Sequence, residues 1–279
     1  MDGLTAPLAA LFQFNVWSFA VPAAIFFGYW LALVRAREAG LDTQRFESSM
    51  EWGIGGGLLL SHVAEIVLYQ PQKLKAEGPL ELLKFWDGLS SYGGFFGGVF
   101  VFAMYYAITT RRAWWRQADC LIQGMVVAWV FGRFGCTVSG DHPGPRTTVP
   151  WAYPYPDGPR HNMGLYELVF TVLVLVPANL LLRRAKPPVG SYVAMNCLVY
   201  GAGRFALDFM RATDVRDPDP RYAGLTLAHY CSLTIFLFGL LVALLAKRGV
   251  LAARSASPAS AAPSSSPSSS PPTTPAGPT

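Results

Sequence analysis

The sequence predicts an all-α polytopic membrane protein, with seven transmembrane helices around a lipid-accessible central cavity and a small extracytoplasmic cap. Three observations carry this. Of 279 residues, 52% are hydrophobic and only 14% are charged, where soluble domains carry about 25% charged residues. Apolar runs close to the roughly 20 residues that a span requires recur along the chain. The loops between those runs alternate in their content of Lys and Arg.

The runs fall at about 12–34, 50–69, 91–110, 118–138, 163–183, 190–210 and 225–246. The first is not a cleavable signal: Met1–Pro7 has no Lys or Arg, and Arg35 and Arg37 follow the apolar run instead of preceding it. The second and third are rich in glycine (Gly53, Gly55, Gly56 and Gly57; Gly93, Gly94, Gly97 and Gly98). Glycine lowers hydropathy but lets helices approach closely, so both are read as interior spans. Arg35, Arg37 and Arg45, then Arg111, Arg112 and Arg116, then Arg183, Arg184 and Lys186, and last Lys247 and Arg248 mark one set of loops. The opposite loops offset their basic residues with Glu77, Glu81, Asp87, Asp157, Asp214, Asp217 and Asp219. The positive-inside rule makes the first set cytoplasmic, with the N-terminus outside and the C-terminus inside.

Two outer segments are more than simple loops. Leu80–Trp86 is a short amphipathic stretch suited to the membrane interface. Residues 139–161, with Pro143, Pro145, Trp151, Tyr153 and Tyr155, suit a cap at headgroup level. The chain thus divides into a transmembrane domain, 1–248, and an Ala/Ser/Pro/Thr-rich cytoplasmic tail, 249–279, expected to be disordered. The net charge of +5 is explained by topology, so no nucleic-acid partner is expected. Cys120, Cys136, Cys197 and Cys231 show neither metal-ligand spacing nor a disulfide framework; neither a metal nor a cofactor is expected.

The chemistry-bearing residues collect near the outer halves of three spans. Arg133 and Arg204 lie within apolar runs, where a charge costs about 2.5–3.5 kcal/mol and needs a partner, a cavity or a ligand. Tyr200, Arg204, Asp208 and Arg211 recur at helical steps and share one face. Two readings stay open: Asp208 bridges Arg204 and Arg211 structurally, or it orients Arg204 for a phosphate. Arg133 either snorkels to the interface or belongs to the polar turn Cys136–Gly144 that follows it. Asp119 starts the fourth span. His161–Glu167 opens the fifth, with Asn162 as a helix cap. His62 lies in the glycine-rich second span.

Over residues 12–248 these motifs resemble those of the bacterial prolipoprotein diacylglyceryl transferases. Gly132-Arg-Phe-Gly-Cys-Thr-Val-Ser-Gly-Asp-His-Pro-Gly144 is similar to G-R-[IL]-G-N-F-x-N-G-E-x-x-G. It retains Arg133, Gly135, Gly140 and Gly144, with Asp141 for Glu and Cys136 for Asn. Gly88–Gly94 resembles G-M-[SA]-[FI]-H-G-G, with Tyr92 at the histidine position. His161–Glu167 resembles H-P-[TS]-Q-L-Y-E, Tyr200–Arg211 resembles Y-x-x-x-R-F-x-x-E-x-x-R, and Gly224–His229 resembles G-[LI]-[ST]-x-[GA]-Q.

The resemblance implies a bacterial inner-membrane enzyme that moves the diacylglyceryl group of phosphatidylglycerol onto the lipobox cysteine of a prolipoprotein, leaving a thioether and glycerol phosphate. It implies catalytic roles for Arg133, Arg204, Tyr200 and Tyr92, and lipid binding by Arg133, Arg204, Asp141, Gly144 and His161. Asp119, Glu167, Asp208, Arg211 and His62 would support them, with His62 a candidate replacement base and the two arginines meeting on one anionic headgroup. A different acceptor, or a phospholipid-binding or transport protein without catalysis, are the alternatives.

Overall fold

The computed structural model describes residues 16–84, 88, 90–110, 114–215 and 218–255, without the side chains of 68, 69, 91, 92 and 254. The Tyr92 side chain and most of the expected tail therefore lie outside the described residues.

The chain is mostly helical: α1 (Val16–Glu38), α2 (Thr43–Ala64), α3 (Pro71–Glu77), α4 (Ser91–Thr109), α5 (Trp115–Ser139), α6 (Met163–Arg184), α7 (Ser191–Asp208), α8 (Leu227–Lys247) and α9 (Val250–Ser255). Polar caps set many of the starts. Asp42 accepts from Arg45 N at α2, Ser90 from Gly93 N at α4, and Asn162 from Leu165 N at α6. Thr226 and His229 form a reciprocal capping box at α8. In α6 a π-turn, Thr171–Leu175, precedes Pro177. Proline has no N–H for the carbonyl one turn back, and the wider turn takes up that mismatch.

Among the described residues four helices, α1, α5, α6 and α8, are long and apolar enough to cross a membrane; a fifth span results if α2 is counted with α3, which bends from it by 84°. Seven were expected. Glycine shortens the apolar part of α4, and α7 carries Asn196, Arg204 and Asp208 on a buried face, which lowers its hydropathy.

The helices pack closely as α1–α5, α2–α4 and α7–α8, and small residues line each seam. A Cβ on Gly124 would run into the Gly28 carbonyl, and one on Gly57 would meet the Gly94 carbonyl at 3.1 Å. A Cβ on Gly201 would lie 2.9 Å from the Ser232 carbonyl. The glycine-rich segments are therefore contact surfaces between helices, as their composition suggested.

The C-terminal ends of α1 and α6 lie together, because Arg183 pairs with Glu38 at 3.0 Å. Arg116 at the start of α5 donates to the Ala39 carbonyl at 2.7 Å. Basic residues thus collect at one end of the bundle. At the other end, the expected cap segment folds as a three-stranded antiparallel sheet in the order β1 (Pro143–Arg146), β3 (Gly158–Asn162), β2 (Tyr153–Tyr155). A second hairpin joins β4 (Arg221–Tyr222) and β5 (Leu225–Thr226). These strands correct the all-α expectation. Arg160 is the rivet of the three-stranded sheet: fully buried, it donates to the Gly144 carbonyl at 3.2 Å and pairs with Asp157 and with Asp214 at 2.8 Å. The expected tail begins with the helix α9, whose Leu251 is buried against the start of α7 at Gly190.

Candidate functional site

The site grows from the end of α5 nearest the sheet. Arg133 sits one turn before Cys136, and the left-handed Gly140 (φ 64°) ends the helix and reverses the chain, bringing Asp141 and His142 back over its last turn. Only glycine adopts that φ without steric cost, which explains the glycine. Asn162 donates to the Thr137 carbonyl at 2.8 Å, fastening the start of α6 beside the end of α5. Glu167, one turn into α6, therefore faces the two arginines.

Arg133 and Arg204 do converge, but on a carboxylate of the chain itself. Glu167 Oε1 accepts from Arg204 Nη1 at 2.6 Å, and Glu167 Oε2 lies 2.9 Å from Arg133 Nε. The Arg133 contact is off the N–H direction; among the described residues no acceptor lies in line with that N–H. All three side chains are buried, with Glu167 2% exposed. Taking two charges out of water is repaid only by close partners, and here one carboxylate serves two cations from two other helices. The other side of Arg133 is an aromatic wall: its guanidinium lies 4.5 Å from the Trp129 ring centroid, and Tyr200 meets Trp129 edge-on at 5.4 Å. Tyr200 also interacts with the Arg133 guanidinium. Arg133 Nη1 reaches Cys136 Sγ at 3.5 Å.

Asp208 does hold Arg204, at 3.1 Å, but it does not bridge to Arg211. Its second oxygen accepts from Thr226 and lies 3.1 Å from His229 Nδ1, so the β4–β5 hairpin and the α8 cap hold it. Arg211 pairs instead with Asp219, at 2.6 Å. Arg211 borders His142, whose pKa burial pushes down to about 3, with Arg211, Arg133 and Arg204 pushing the same way. His142 is therefore neutral at pH 7. Burial moves Asp141 in the opposite direction, upward.

Two expected supporters, Asp119 and His62, and one expected lipid-binding residue, His161, have their contacts elsewhere. Asp119 accepts from Gly190 N at 2.6 Å and Val193 N at 3.0 Å, capping α7 at the opposite end of α5. At 1.5 Å per residue it is about 21 Å from Arg133. His62 is buried with its ring nitrogens at the Gly88 and Glu81 carbonyls, 3.1 and 3.2 Å away, so it latches the backbone at those two residues to α2. That pairing leaves it in a structural role. His161, in β3, hydrogen-bonds to Tyr166, which also accepts from Trp151 at 3.1 Å, so it ties the sheet to the start of α6. Gly144 lets β1 press against His161; a Cβ there would meet His161 Cβ at 3.0 Å.

The sequence reading gave Glu167 a minor part and left out Trp129, His142, Thr226 and His229. Glu167 had a signal: it is the lone carboxylate between Met163 and Arg184. His142 had none beyond its place in the Gly132–Gly144 motif, because only the turn at Gly140 brings it to Cys136.

Fold and site define a mostly helical membrane protein in which two buried arginines from separate helices share one carboxylate beside a polar turn. The profile of the prolipoprotein diacylglyceryl transferase family matches residues 7–245. The chain belongs to that family. Curated relatives bear the name phosphatidylglycerol–prolipoprotein diacylglyceryl transferase. The protein from Nitratidesulfovibrio vulgaris strain Miyazaki F is 31% identical over 232 residues, covering 80% of this chain and 85% of the relative. That from Mannheimia succiniciproducens is 31% identical over 196 residues, 68% of this chain and 72% of its own. The Aromatoleum aromaticum protein is 32% identical over 196 residues, with the same shares.

Proposed function

We propose that this protein transfers the diacylglyceryl group of phosphatidylglycerol to the lipobox cysteine thiol of a prolipoprotein, forming a thioether and releasing glycerol phosphate. Family membership and the names of the relatives support the reaction. The observation that carries it to particular residues is the meeting of Arg133 and Arg204, from different helices, at one buried point.

In this reading the sulfur attacks the glyceryl carbon as the bond from that carbon to the phosphate oxygen breaks. The electron pair leaves on the phosphate, where fixed cations stabilise developing charge most effectively. Arg133 and Arg204 hold the phosphate, and Glu167 is a positioning residue for both. Asp208, fixed by Thr226 and His229, orients Arg204; Tyr200 donates a further hydrogen bond, and Tyr92 orients the substrate from α4. Asp141, Gly144 and His161 shape the outer wall of a lipid-accessible cavity. The protein sits in the bacterial cytoplasmic membrane with seven spans, N-terminus outside and C-terminus in the cytoplasm, with 139–161 as its outer cap.

The test is complementation of a bacterial strain depleted of its own transferase, followed by turnover with a lipobox peptide in phosphatidylglycerol membranes. Growth with lipidated precursor is expected. Arg133→Lys and Arg204→Lys keep the charge but lose the fork geometry, and each is expected to cut turnover roughly 10²–10³-fold, the usual cost of one transition-state donor. Insertion without lipidation would refute the transferase reading and favour another acceptor or plain lipid binding.

A further inference from the structure

We propose that Cys136, Asp141 and His142 form a binding site for a thiophilic divalent cation of the zinc class, whose open coordination position takes the acceptor thiol as a thiolate. The thiol-activating role rests on the transferase reading; the site itself does not.

One ligand atom from each of the three residues lies within 4.8 Å of the other two. The arrangement follows from the end of α5. Cys136 is on its last turn, the Gly140 amide donates to the Cys136 carbonyl at 3.0 Å, and the left-handed Gly140 folds Asp141 and His142 over the sulfur. Bonds of about 2.0–2.3 Å in a tetrahedron put ligand atoms about 3.5 Å apart, so closing on a metal needs roughly 1 Å of inward movement. Asp141, the most exposed of the three, can supply it by side-chain rotation.

The donor set suits the ion. Thiolate sulfur, imidazole nitrogen and a carboxylate oxygen are zinc ligands, and three protein ligands are the number found where a fourth position stays open for substrate. A thiolate and a carboxylate balance the two charges of the cation, which matters with Arg133 Nη1 3.5 Å from the sulfur. His142 Nδ1 is buried with no hydrogen-bond partner among the described residues. Buried polar atoms rarely stay unsatisfied, and coordination through Nδ1 gives this one a partner.

The cluster also supplies what a thioether-forming site needs. A free thiol is mostly protonated near neutral pH, whereas a thiol bound to such a cation loses its proton outright. The acceptor thiol would release its proton to water on binding. Its sulfur would then bond to the glyceryl carbon as the carbon–oxygen bond breaks, and the electron pair would leave on the phosphate beside Arg133 and Arg204. Nothing is oxidised or reduced. The neutral thioether is a weaker ligand than the thiolate and departs.

The experiment uses the full-length protein in lipid nanodiscs, stripped with chelator and titrated with cobalt(II). One cobalt per chain is expected, with a sulfur-to-cobalt charge-transfer band that Cys136→Ser abolishes, that zinc(II) displaces, and that a lipobox peptide intensifies. His142→Gln, at a less buried position, should weaken cobalt binding at least tenfold without removing the sulfur. Absence of stoichiometric binding, or a band unchanged in Cys136→Ser, overturns the site. Lipid transfer at full rate by metal-free protein overturns the thiol-activating role while leaving the transferase reading intact. A cobalt site that responds to the peptide supports the proposal even where transfer is absent, and that absence then counts against the transferase reading alone.

Discussion

Replacing Glu167 by glutamine tests the centre of the site, because it removes one charge and almost no volume. In the native cluster two guanidiniums, of Arg133 and Arg204, face two carboxylates, of Glu167 and Asp208. The variant leaves one buried positive charge in excess. Breaking a buried pair by removing one partner costs about 3–5 kcal/mol. Glutamine still offers one carbonyl oxygen to Arg204, and Arg133 keeps the Trp129 ring, so about 3 kcal/mol is expected, the low end of that range. At about 2–4 °C per kcal/mol, the melting temperature should fall by roughly 6–12 °C.

The kinetic outcome separates positioning from plain stability. With the fixed anion gone, an anionic headgroup meets a more positive site, so KM for phosphatidylglycerol should fall or stay level. The guanidiniums lose their common anchor, and kcat should drop at least about a hundredfold, the equivalent of about 2.7 kcal/mol in the barrier. A residue that only holds the fold would instead lower the amount of folded enzyme, with kcat per folded molecule and KM unchanged. Arg133→Gln combined with Glu167→Gln restores neutrality and should recover part of the stability but none of the turnover. The assay is lipidation of a lipobox peptide in nanodiscs, normalised to folded protein. A single Glu167→Gln variant with kcat within about threefold of the parent would refute the positioning argument, since under about 1 kcal/mol would then have been at stake.

Gly57→Leu should separate α2 from α4, because a Cβ there meets the Gly94 carbonyl at 3.1 Å and Gly98 Cα at 3.2 Å; overpacking of this kind costs about 1–3 kcal/mol. Gly55→Ala, with nothing within 4 Å, is the control, and thermal unfolding reads both. Asp119→Asn should lower stability by about 1–2 kcal/mol through the weakened α7 cap, while kcat per folded molecule stays level, because the site is at the far end of α5. At the three-stranded sheet, hydrogen bonds from Arg160 hold Asp214 down at about 2 and lower Asp157 as well. Carboxylates depressed on folding stabilise above their ordinary values and lose that contribution as pH falls through the folded ones. Protection factors for amide exchange in 143–162, corrected for the intrinsic pH dependence of exchange, should therefore be high at pH 5 and fall as pH drops below about 4 toward 2.

The sequence was most legible where one physical rule governs a whole segment. Apolar length located the long helices, and the glycine clusters in α2 and α4 announced a close seam. Periodicity put Tyr200, Arg204 and Asp208 on one face of α7, and they do turn inward. It failed at Arg211, because α7 ends at Asp208 and the next residues leave the helical path toward Asp219. It gave no partners for Asp119 and His62. A buried polar residue in an apolar run signals that a partner exists without saying which, and both partners are backbone groups from distant segments. The small sheet was hidden because proline and aromatic residues in 139–161 carry no alternating pattern, and a single buried arginine, Arg160, organises it.

The same limit explains why Glu167 looked minor and why it matters. Each arginine alone has an ordinary solution: snorkelling for Arg133, the i,i+4 carboxylate Asp208 for Arg204. Neither needs the other. Glu167 is what makes them a pair, since one carboxylate can reach both only if α5, α6 and α7 are fixed together to within the length of an ion pair. Asn162 supplies that constraint between α5 and α6, and the Thr226–Asp208–His229 contacts supply it at α7. A stability device confined to one helix would not require such agreement among three. A site that must present two guanidiniums to one phosphate requires it, because an error of about 1 Å in placement is enough to cost a large share of the rate.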